Sequence, residues 1–309
     1  MQVTHGTIKP GGGPVALTIG NFDGVHRGHR AMLERLAEMA RRLKLPCSFL
    51  TFEPHPREFF APAAAPTRLT RLREKLELIA ETGVDRVHVM RFDARLAALA
   101  ADRFIEDVLV RGLGARCLLV GRDFRFGARR TGDFALLESE AARLGFGLEA
   151  MPEVMDAGER VSSSAVRAAL AAGDLEGAAR LLGRAYAMSG RVAHGEKLGR
   201  TLGFSTANIV LRRPPPLAGV FAVEAELEET HALLRGVASV GRRPTVRENA
   251  APLLEVHLFD WSGDLYGRHL RVTFLRKLRE EKKYDGLDAL RAAIGQDAAE
   301  ARDYFRKHG

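Results

Sequence analysis

Two cysteines in 309 residues leave no room for a disulfide framework or a metal site built from cysteine alone. Cys47 and Cys117 each sit in a short apolar run, P-C-S-F-L and R-C-L-L-V, and read as buried structural thiols. No apolar stretch approaches the length that crosses a bilayer. Met1 to Gly13 lacks the charged-then-apolar order of a secretory signal, so a cytoplasmic chain with no membrane partner is expected. Lysine is scarce, eight of the 47 basic residues, and the formal charge of +8 is carried by arginine. Those arginines are dispersed, with no basic block and little aromatic interleaving. The charge suits polyphosphate ligands as well as nucleic acid, and the missing block weighs against nucleic acid.

At this length two domains are the reasonable expectation. In the first half Val15–Ile19, Cys47–Phe52, Arg86–Met90, Cys117–Val120 and Gly147–Met151 read as strands. Between them Arg30–Leu43, Arg71–Ala80, Asp102–Val110 and Asp133–Leu144 read as helices. This alternation predicts an α/β fold, a doubly wound parallel sheet whose ligands bind at the carboxyl ends of the strands. Gly20–Gly24, Phe52–Pro56 and Gly121–Gly127 all fall at such ends. Two short alanine-rich helical stretches follow within Ser162–Gly183, and then the texture changes. Tyr186–His194, Gly219–Leu227, His231–Val240, Leu253–Asp260 and Leu265–Leu275 read as successive strands, with no helical periodicity until Leu287–Ile294. That predicts an antiparallel barrel or sandwich and domains of residues 1–184 and 185–309.

The stretch G-N-F-D-G-V-H-R-G-H, Gly20 to His29, joins the first of these strands to a helix. Small residues and two imidazoles, His26 and His29, at a helix N-terminus favour anions and supply donors to phosphate oxygens whose charge grows during attack at phosphorus. F-E-P-H-P places His55 between prolines, as a ligand wall or an ordinary stiff turn. V-G-R-D-F-R-F-G mixes charge, aromatic faces and glycine, as a planar heterocycle with a phosphate tail requires, or as an exposed arginine loop has them. R-V-S-S-S-A-V-R puts three serines between Arg160 and Arg167 at a helix start, one more than capping needs twice over, and reads as a phosphate clamp.

In the second half, Thr206 and Asn208 are two apart, so an extended segment turns both to one face. Their hard oxygens suit Mg2+ with phosphate oxygens completing the shell, although two satisfied polar residues on a strand have the same spacing. Alternation along Leu254-Glu255-Val256-His257-Leu258 sets Glu255 and His257 opposite the apolar residues. A carboxylate there suits a general base for a primary hydroxyl, or simply a solvated strand face. No G-x-x-x-x-G-K-S/T is present, so a kinase here is of neither the P-loop nor the protein-kinase class.

The four first-half motifs, in this order, resemble the adenylyltransferase half of prokaryotic bifunctional riboflavin kinase/FMN adenylyltransferase (FAD synthetase). Residues 190–208, G-R-V-A-H-G-E-K-L-G-R-T-L-G-F-S-T-A-N, resemble that family's riboflavin kinase signature, with Ser205 at the usual proline. G-V-A-S-V-G-R-R-P-T, L-E-V-H-L-F-D and L-R-E-E-K-K-Y-D match further kinase elements. The resemblance implies a C-terminal β-barrel with a terminal helix, and a flavin-biosynthetic transferase using ATP, riboflavin and FMN, with Mg2+, to make FMN and FAD. It implies that Gly20, Asn21, Phe22, Asp23, Gly24, Arg160, Ser163, Ser164 and Arg167 hold ATP for adenylyl transfer, with His26 and His29 stabilising its phosphates. Phe52, His55, Pro56, Asp123, Phe124 and Phe126 would line the flavin. In the kinase half it implies Glu255 as base, Thr206 and Asn208 as metal ligands, and Gly195, Leu198, Gly199, Gly203 and Arg279 as nucleotide or flavin contacts. For Arg279 an exposed charged turn is the equal alternative. Two other readings stay open: a single-activity adenylyltransferase whose barrel is a flavin-binding regulatory module, on the strength of Ser205, and a basic nucleic-acid-binding barrel protein.

Overall fold

Val15–Ile19 is buried along its whole length because both faces of the sheet it centres are covered. In the computed structural model, which describes residues 1–8, 11–193, 206–241 and 252–308, that sheet is wholly parallel. Its strands are β1 (Gln2–His5), β2 (Val15–Ile19), β3 (Cys47–Glu53), β4 (Arg86–Arg91), β5 (Ala115–Gly121) and β6 (Gly147–Met151), in the order β1-β4-β3-β2-β5-β6. Val15, Leu17 and Ile19 pack with Phe104, Ile105, Leu109 and Leu137 on one face. Ala16 and Phe49 pack on the other with Leu33, Leu36 and Met39 of helix α1 (Arg27–Leu43) and Leu78 and Ile79 of Leu72–Ala80. The helix expected over Asp102–Val110 is one α-turn, Ala101–Arg103, continued as a π-helical segment, Phe104–Val110, which presents Phe104, Ile105, Val108 and Leu109 to the core.

β1 has no counterpart in the sequence reading. Among its four residues only Val3 is apolar, so no alternation marks it. Side chains hold it instead: the Thr4 hydroxyl is 2.7 Å from His88 Nδ1, and His88 Nε2 is 3.1 Å from the Gly6 carbonyl. A carbonyl can only accept, so Nε2 carries the proton and Nδ1 accepts from Thr4.

The second half is a closed antiparallel barrel of β9 (Ala187–Ala193), β10 (Thr206–Val210), β11 (Gly219–Leu227), β12 (Leu233–Gly241), β13 (Leu253–Leu258) and β14 (His269–Arg279), in the order β10-β13-β12-β11-β14-β9. It follows the short hairpin β7 (Met155–Asp156) and β8 (Glu159–Arg160). The expected strand Leu265–Leu275 begins instead at His269, after a turn in which the Tyr266 amide donates to Asp264 Oδ1 at 2.9 Å. Phe221, Val223, Val240, Leu254, Val256, Leu270 and Phe274 fill the barrel. Outside it, Val220, Ala222, Val237 and Phe259 are covered by Ala298, Ala301 and Phe305. These come from a helix, Leu287–His308, that runs well beyond the expected Leu287–Ile294. The chain divides into two compact units, residues 1–66 with 70–162 and residues 67–69 with 163–309.

The terminal helix is also tied to the barrel by charge. Arg279 Nε and Nη2 donate to Asp297 Oδ1 and Oδ2, each at 2.7 Å, and Asp297 is 5% exposed. Asp297→Ala should destabilise by about 2–4 kcal/mol by leaving the guanidinium unpaired; denaturant unfolding reads this, and adding Arg279→Ala should recover part of the loss. Burial lowers the pKa of His88, the Gly6 carbonyl partly opposes this and His5 adds to it. The folded state therefore favours neutral His88, and its contribution is complete above the ordinary value of about 6.5 and declines as pH falls below it. Hydrogen exchange at Gln2–His5, corrected for intrinsic rate, should accelerate between pH 7 and pH 5, and His88→Asn should flatten that dependence.

Candidate active sites

β2 delivers the chain into a loop, Gly20–His26, that is braced from residue 70. Asp23 is buried, and its Oδ1 accepts from the Thr70 amide at 3.0 Å and the Thr70 hydroxyl at 3.3 Å. The same hydroxyl oxygen accepts from the Gly24 amide at 3.0 Å. Within this brace Phe22 and Val25 take left-handed φ values of 46° and 40°, at about 1–2 kcal/mol each. The hydrogen bonds to Thr70 and the packing of Phe22 on Phe49, ring centroids 4.4 Å apart, offset that cost.

The strain places three rings in a stack. Phe22 lies 4.3 Å from His29, and His29 lies 3.6 Å from His26, both nearly parallel. Gly28 makes the approach possible, since a Cβ there would stand 3.2 Å from the His26 ring. His26 caps α1, its Nδ1 accepting from the His29 amide at 3.3 Å. With that lone pair engaged, a neutral His26 carries its proton on Nε2 and presents a donor. Asn21 adds a buried Oδ1 that has no hydrogen-bond partner among the described residues.

β3 and β5 flank β2, so all three motif loops emerge at the carboxyl edge of adjacent strands. His55 caps the short helix α2 (Pro56–Phe60): its Nδ1 accepts from the Arg57 amide at 3.1 Å, and Glu58 Oε2 accepts from the His55 amide at 3.1 Å. Phe52 meets Phe92 edge-on, and Phe59 and Phe60 join Phe92 at 5.5 and 5.6 Å. Phe60 is 64% exposed, which gives this loop an aromatic face that the motif reading passed over, although both residues follow His55 and Pro56 closely. In the β5 loop Phe126 is buried against Phe104, while the half-buried Phe124 stacks on it at 5.3 Å. Asp123 Oδ2 accepts from Arg160 at 2.7 Å, and Arg160 also pairs with Glu153 at 2.9 Å. Exposed pairs of this kind contribute about 0–1 kcal/mol, so either carboxylate can be exchanged for a phosphate. Ser163, Ser164 and Arg167 lie on helix Ser163–Ala172 of the second unit, where Arg167 Nε donates to the Thr67 carbonyl at 2.6 Å.

On the barrel, register does the assembling. Asn208 stands opposite Glu255, Glu255 opposite Ser239, and Thr206 opposite His257. Directly opposite residues share a face, here the outer one, because Leu254, Val256 and Leu258 point inward. Asn208 is 7% exposed and its Oδ1 has no hydrogen-bond partner among the described residues. Ser239 Oγ donates to Glu281 Oε1 at 3.3 Å, bringing in a carboxylate that the sequence reading left among solvated charges. Arg279 is engaged by Asp297 and lies over the Tyr284 ring at 5.6 Å. Gly195, Leu198, Gly199, Gly203 and Ser205 lie outside the described residues.

The brace on the first loop is open to test. Asp23→Ala should strand two donors of Thr70, lower stability by about 1–3 kcal/mol, and speed amide exchange across Gly20–His29, as read by denaturant titration with exchange mass spectrometry.

Comparison with known proteins bears on both halves. Residues 11–165 match the family described as FAD synthetase, and residues 182–305 the family described as riboflavin kinase. The bifunctional riboflavin kinase/FMN adenylyltransferase of Escherichia coli (strain K12) is 52% identical over 290 residues, covering 94% of this chain and 92% of that protein. The protein of the same name from Pseudomonas fluorescens is 48% identical over 305 residues, covering 98% and 97%. A crystal structure described as a macrolide-efflux protein from Streptococcus pneumoniae aligns with TM-score 0.81 and 26% identity over 98% of this chain and 99% of that one. Among the described residues no helix is long and apolar enough to cross a membrane. With both family matches in sequence on one chain, and near-full-length relatives that carry both, the chain belongs to the bifunctional riboflavin kinase/FMN adenylyltransferase family.

Proposed function

We propose that this chain phosphorylates riboflavin with ATP to give FMN and ADP, and then adenylylates FMN with a second ATP to give FAD and pyrophosphate. The observation that carries this reading is the presence on one chain of both folds, each matching its own enzyme family. We assign adenylyl transfer to residues 1–184 and phosphoryl transfer to residues 185–309, in a cytoplasmic enzyme whose partners are ATP, riboflavin and FMN.

In the kinase half Glu255 takes the proton of the ribityl 5′-hydroxyl as its oxygen attacks the γ-phosphorus. One oxygen–phosphorus bond forms, the bond to the β–γ bridging oxygen breaks, and ADP leaves. The buried Oδ1 of Asn208, which has no hydrogen-bond partner among the described residues, fits a hard cation, and with the Thr206 hydroxyl it would hold Mg2+. The ion would screen the triphosphate charge against the incoming oxygen.

In the adenylyltransferase half the FMN phosphate is itself the nucleophile at the α-phosphorus of ATP, so no protein nucleophile is required. His26 and His29 donate to phosphate oxygens as negative charge grows on them, and the Asp23–Thr70 brace holds Gly24 and the ring stack in place. The buried Oδ1 of Asn21, without a hydrogen-bond partner among the described residues, supports a nucleotide contact at this loop, alongside Gly20 and Phe22. The exposed aromatic face of Phe59 and Phe60 beside His55 and Pro56 supports a flavin wall, with Phe52, Asp123 and Phe124 near it. Phe126 acts there by backing Phe124 from the core. Arg160 exchanges its carboxylates for ATP phosphates, and Ser163, Ser164 and Arg167 complete the ATP set. Gly195, Leu198, Gly199 and Gly203 are assigned to nucleotide and flavin in the kinase half, with Arg279 supporting the flavin side through the segment it anchors.

A product time course with riboflavin, ATP and Mg2+ tests both steps in one tube: FMN should rise first and FAD follow. Glu255→Gln should lower FMN formation by roughly a hundredfold or more while supplied FMN is still converted to FAD. His29→Ala should lower FAD formation by about the same factor and spare FMN formation. Loss of both activities in either folded variant would remove the assignment of one site to each half.

A further inference from the structure

The outer face of the barrel sets its polar groups out in a row. Across β10, β13 and β12 the order is Asn208, Glu255, Ser239, each directly opposite the next. Under the function proposed above, the Asn208 end faces the cation and phosphates, because its nine-tenths-buried Oδ1 has no hydrogen-bond partner among the described residues. Glu255, in the middle, faces the hydroxyl that loses its proton. The acceptor molecule must therefore extend from Glu255 away from Asn208, toward Ser239.

Glu281 waits at that end. Its Oε1 accepts from the Ser239 hydroxyl at 3.3 Å. The carboxylate lies on the α-carbon of Gly241, where a Cβ would collide with both of its oxygens. The segment that carries it is anchored, since Arg279 is gripped by Asp297 and Arg279 Nη1 donates to the Glu280 carbonyl at 3.0 Å. Desolvation, and then the charge of Glu255, hold the Glu281 carboxyl above its ordinary range, against the opposing pull of Ser239 and Arg279. A carboxylate so placed is an acceptor with two oxygens and lone pairs to spare, and the ligand chemistry that satisfies it is a chain of hydroxyl donors.

We propose that Glu281, presented by Ser239 and Gly241, recognises the hydroxylated side chain of the phosphoryl acceptor and so selects for a polyol-bearing flavin. This assignment rests on the kinase reading of the barrel. The isoalloxazine ring is bound elsewhere on the face. The carboxylate reads the chain between ring and reacting hydroxyl, and it fixes which hydroxyl reaches Glu255. A site that binds hydroxyls in this way discriminates against analogues that lack them.

The test uses the full-length protein, riboflavin as substrate, and lumiflavin, which keeps the ring but lacks the hydroxylated chain, as competitive inhibitor of FMN formation. Glu281→Gln should raise the riboflavin KM by about tenfold or more and leave the ATP KM, the lumiflavin inhibition constant and conversion of supplied FMN to FAD unchanged. Glu281→Asp, which keeps the charge but withdraws it by one methylene, should fall between. Ser239→Ala, which frees the carboxylate without removing it, should raise the riboflavin KM by roughly threefold. An unchanged riboflavin KM in Glu281→Gln, or a lumiflavin constant that rises in parallel with it, would overturn the assignment, the second because a merely structural role moves both ligands. Absence of FMN formation by the unmutated protein would instead overturn the kinase reading, and this assignment with it.

Discussion

Side-chain alternation around a closed barrel is the constraint on which the kinase half depends. Along β13 Leu254, Val256 and Leu258 enter the core and Glu255 and His257 do not. Along β10 Ala207 and Ile209 enter, and along β12 Ala238 and Val240. A slip of one residue in any of these strands would send Asn208, Glu255 or Ser239 inward and an aliphatic residue out. Burying an unpaired carboxylate costs several kcal/mol, so the register that gives the barrel its stability also sets the polar row abreast. The outer surface is divided accordingly: one sector carries that row, and another, made by Val220, Ala222, Val237 and Phe259, is sealed by the terminal helix.

The parallel-sheet half meets the same need by a different device. Its polar groups stand on loops at the carboxyl ends of β3, β2 and β5, where the backbone leaves the sheet and needs other support. Asp23 and Thr70 give that support to Gly20–His26, and capping gives it to His55 and His26. In both histidines Nδ1 accepts a backbone amide, which fixes the ring and puts the proton of the neutral imidazole on Nε2. One interaction here both caps a helix and fixes the tautomer of an imidazole.

The sequence made the plan of both halves legible, and its misses have physical causes. The five strands read in the first half are all present, because the central ones are buried and demand apolar runs. β1 escaped because an edge strand whose Gln2, Thr4 and His5 are exposed needs only one apolar residue, and it is held by His88 instead. The terminal helix was read short because its inner face beyond Ile294 is built from Ala298 and Ala301, whose periodicity is faint, before Phe305 restores it. His26, His29, Asn208 and Glu255 could be named from motif and alternation. Thr70 and Glu281 could not, since each acts through a partner 47 or 42 residues away in the chain, and Glu281 sits in a charged run that reads as solvated surface. The aromatic face at Phe59 and Phe60 was hidden for the opposite reason, since apolar residues beside a turn are ordinarily taken as core.

The two thiols noted at the outset have a practical corollary. Cys47 and Cys117 are 2% and 7% exposed, and burial, followed by the charge of Asp85, pushes the Cys47 thiol up to about 12. Burial likewise raises Cys117, whose sulfur lies 3.1 Å from Met39 Sδ. The thiolate is the species that reacts with alkylating or maleimide reagents, so burial and the raised pKa disfavour reaction at both native thiols. A cysteine introduced at an exposed position such as Leu233, 62% exposed, would therefore react ahead of both, giving a spectroscopic reporter on the barrel without first stripping the protein of its own sulfur.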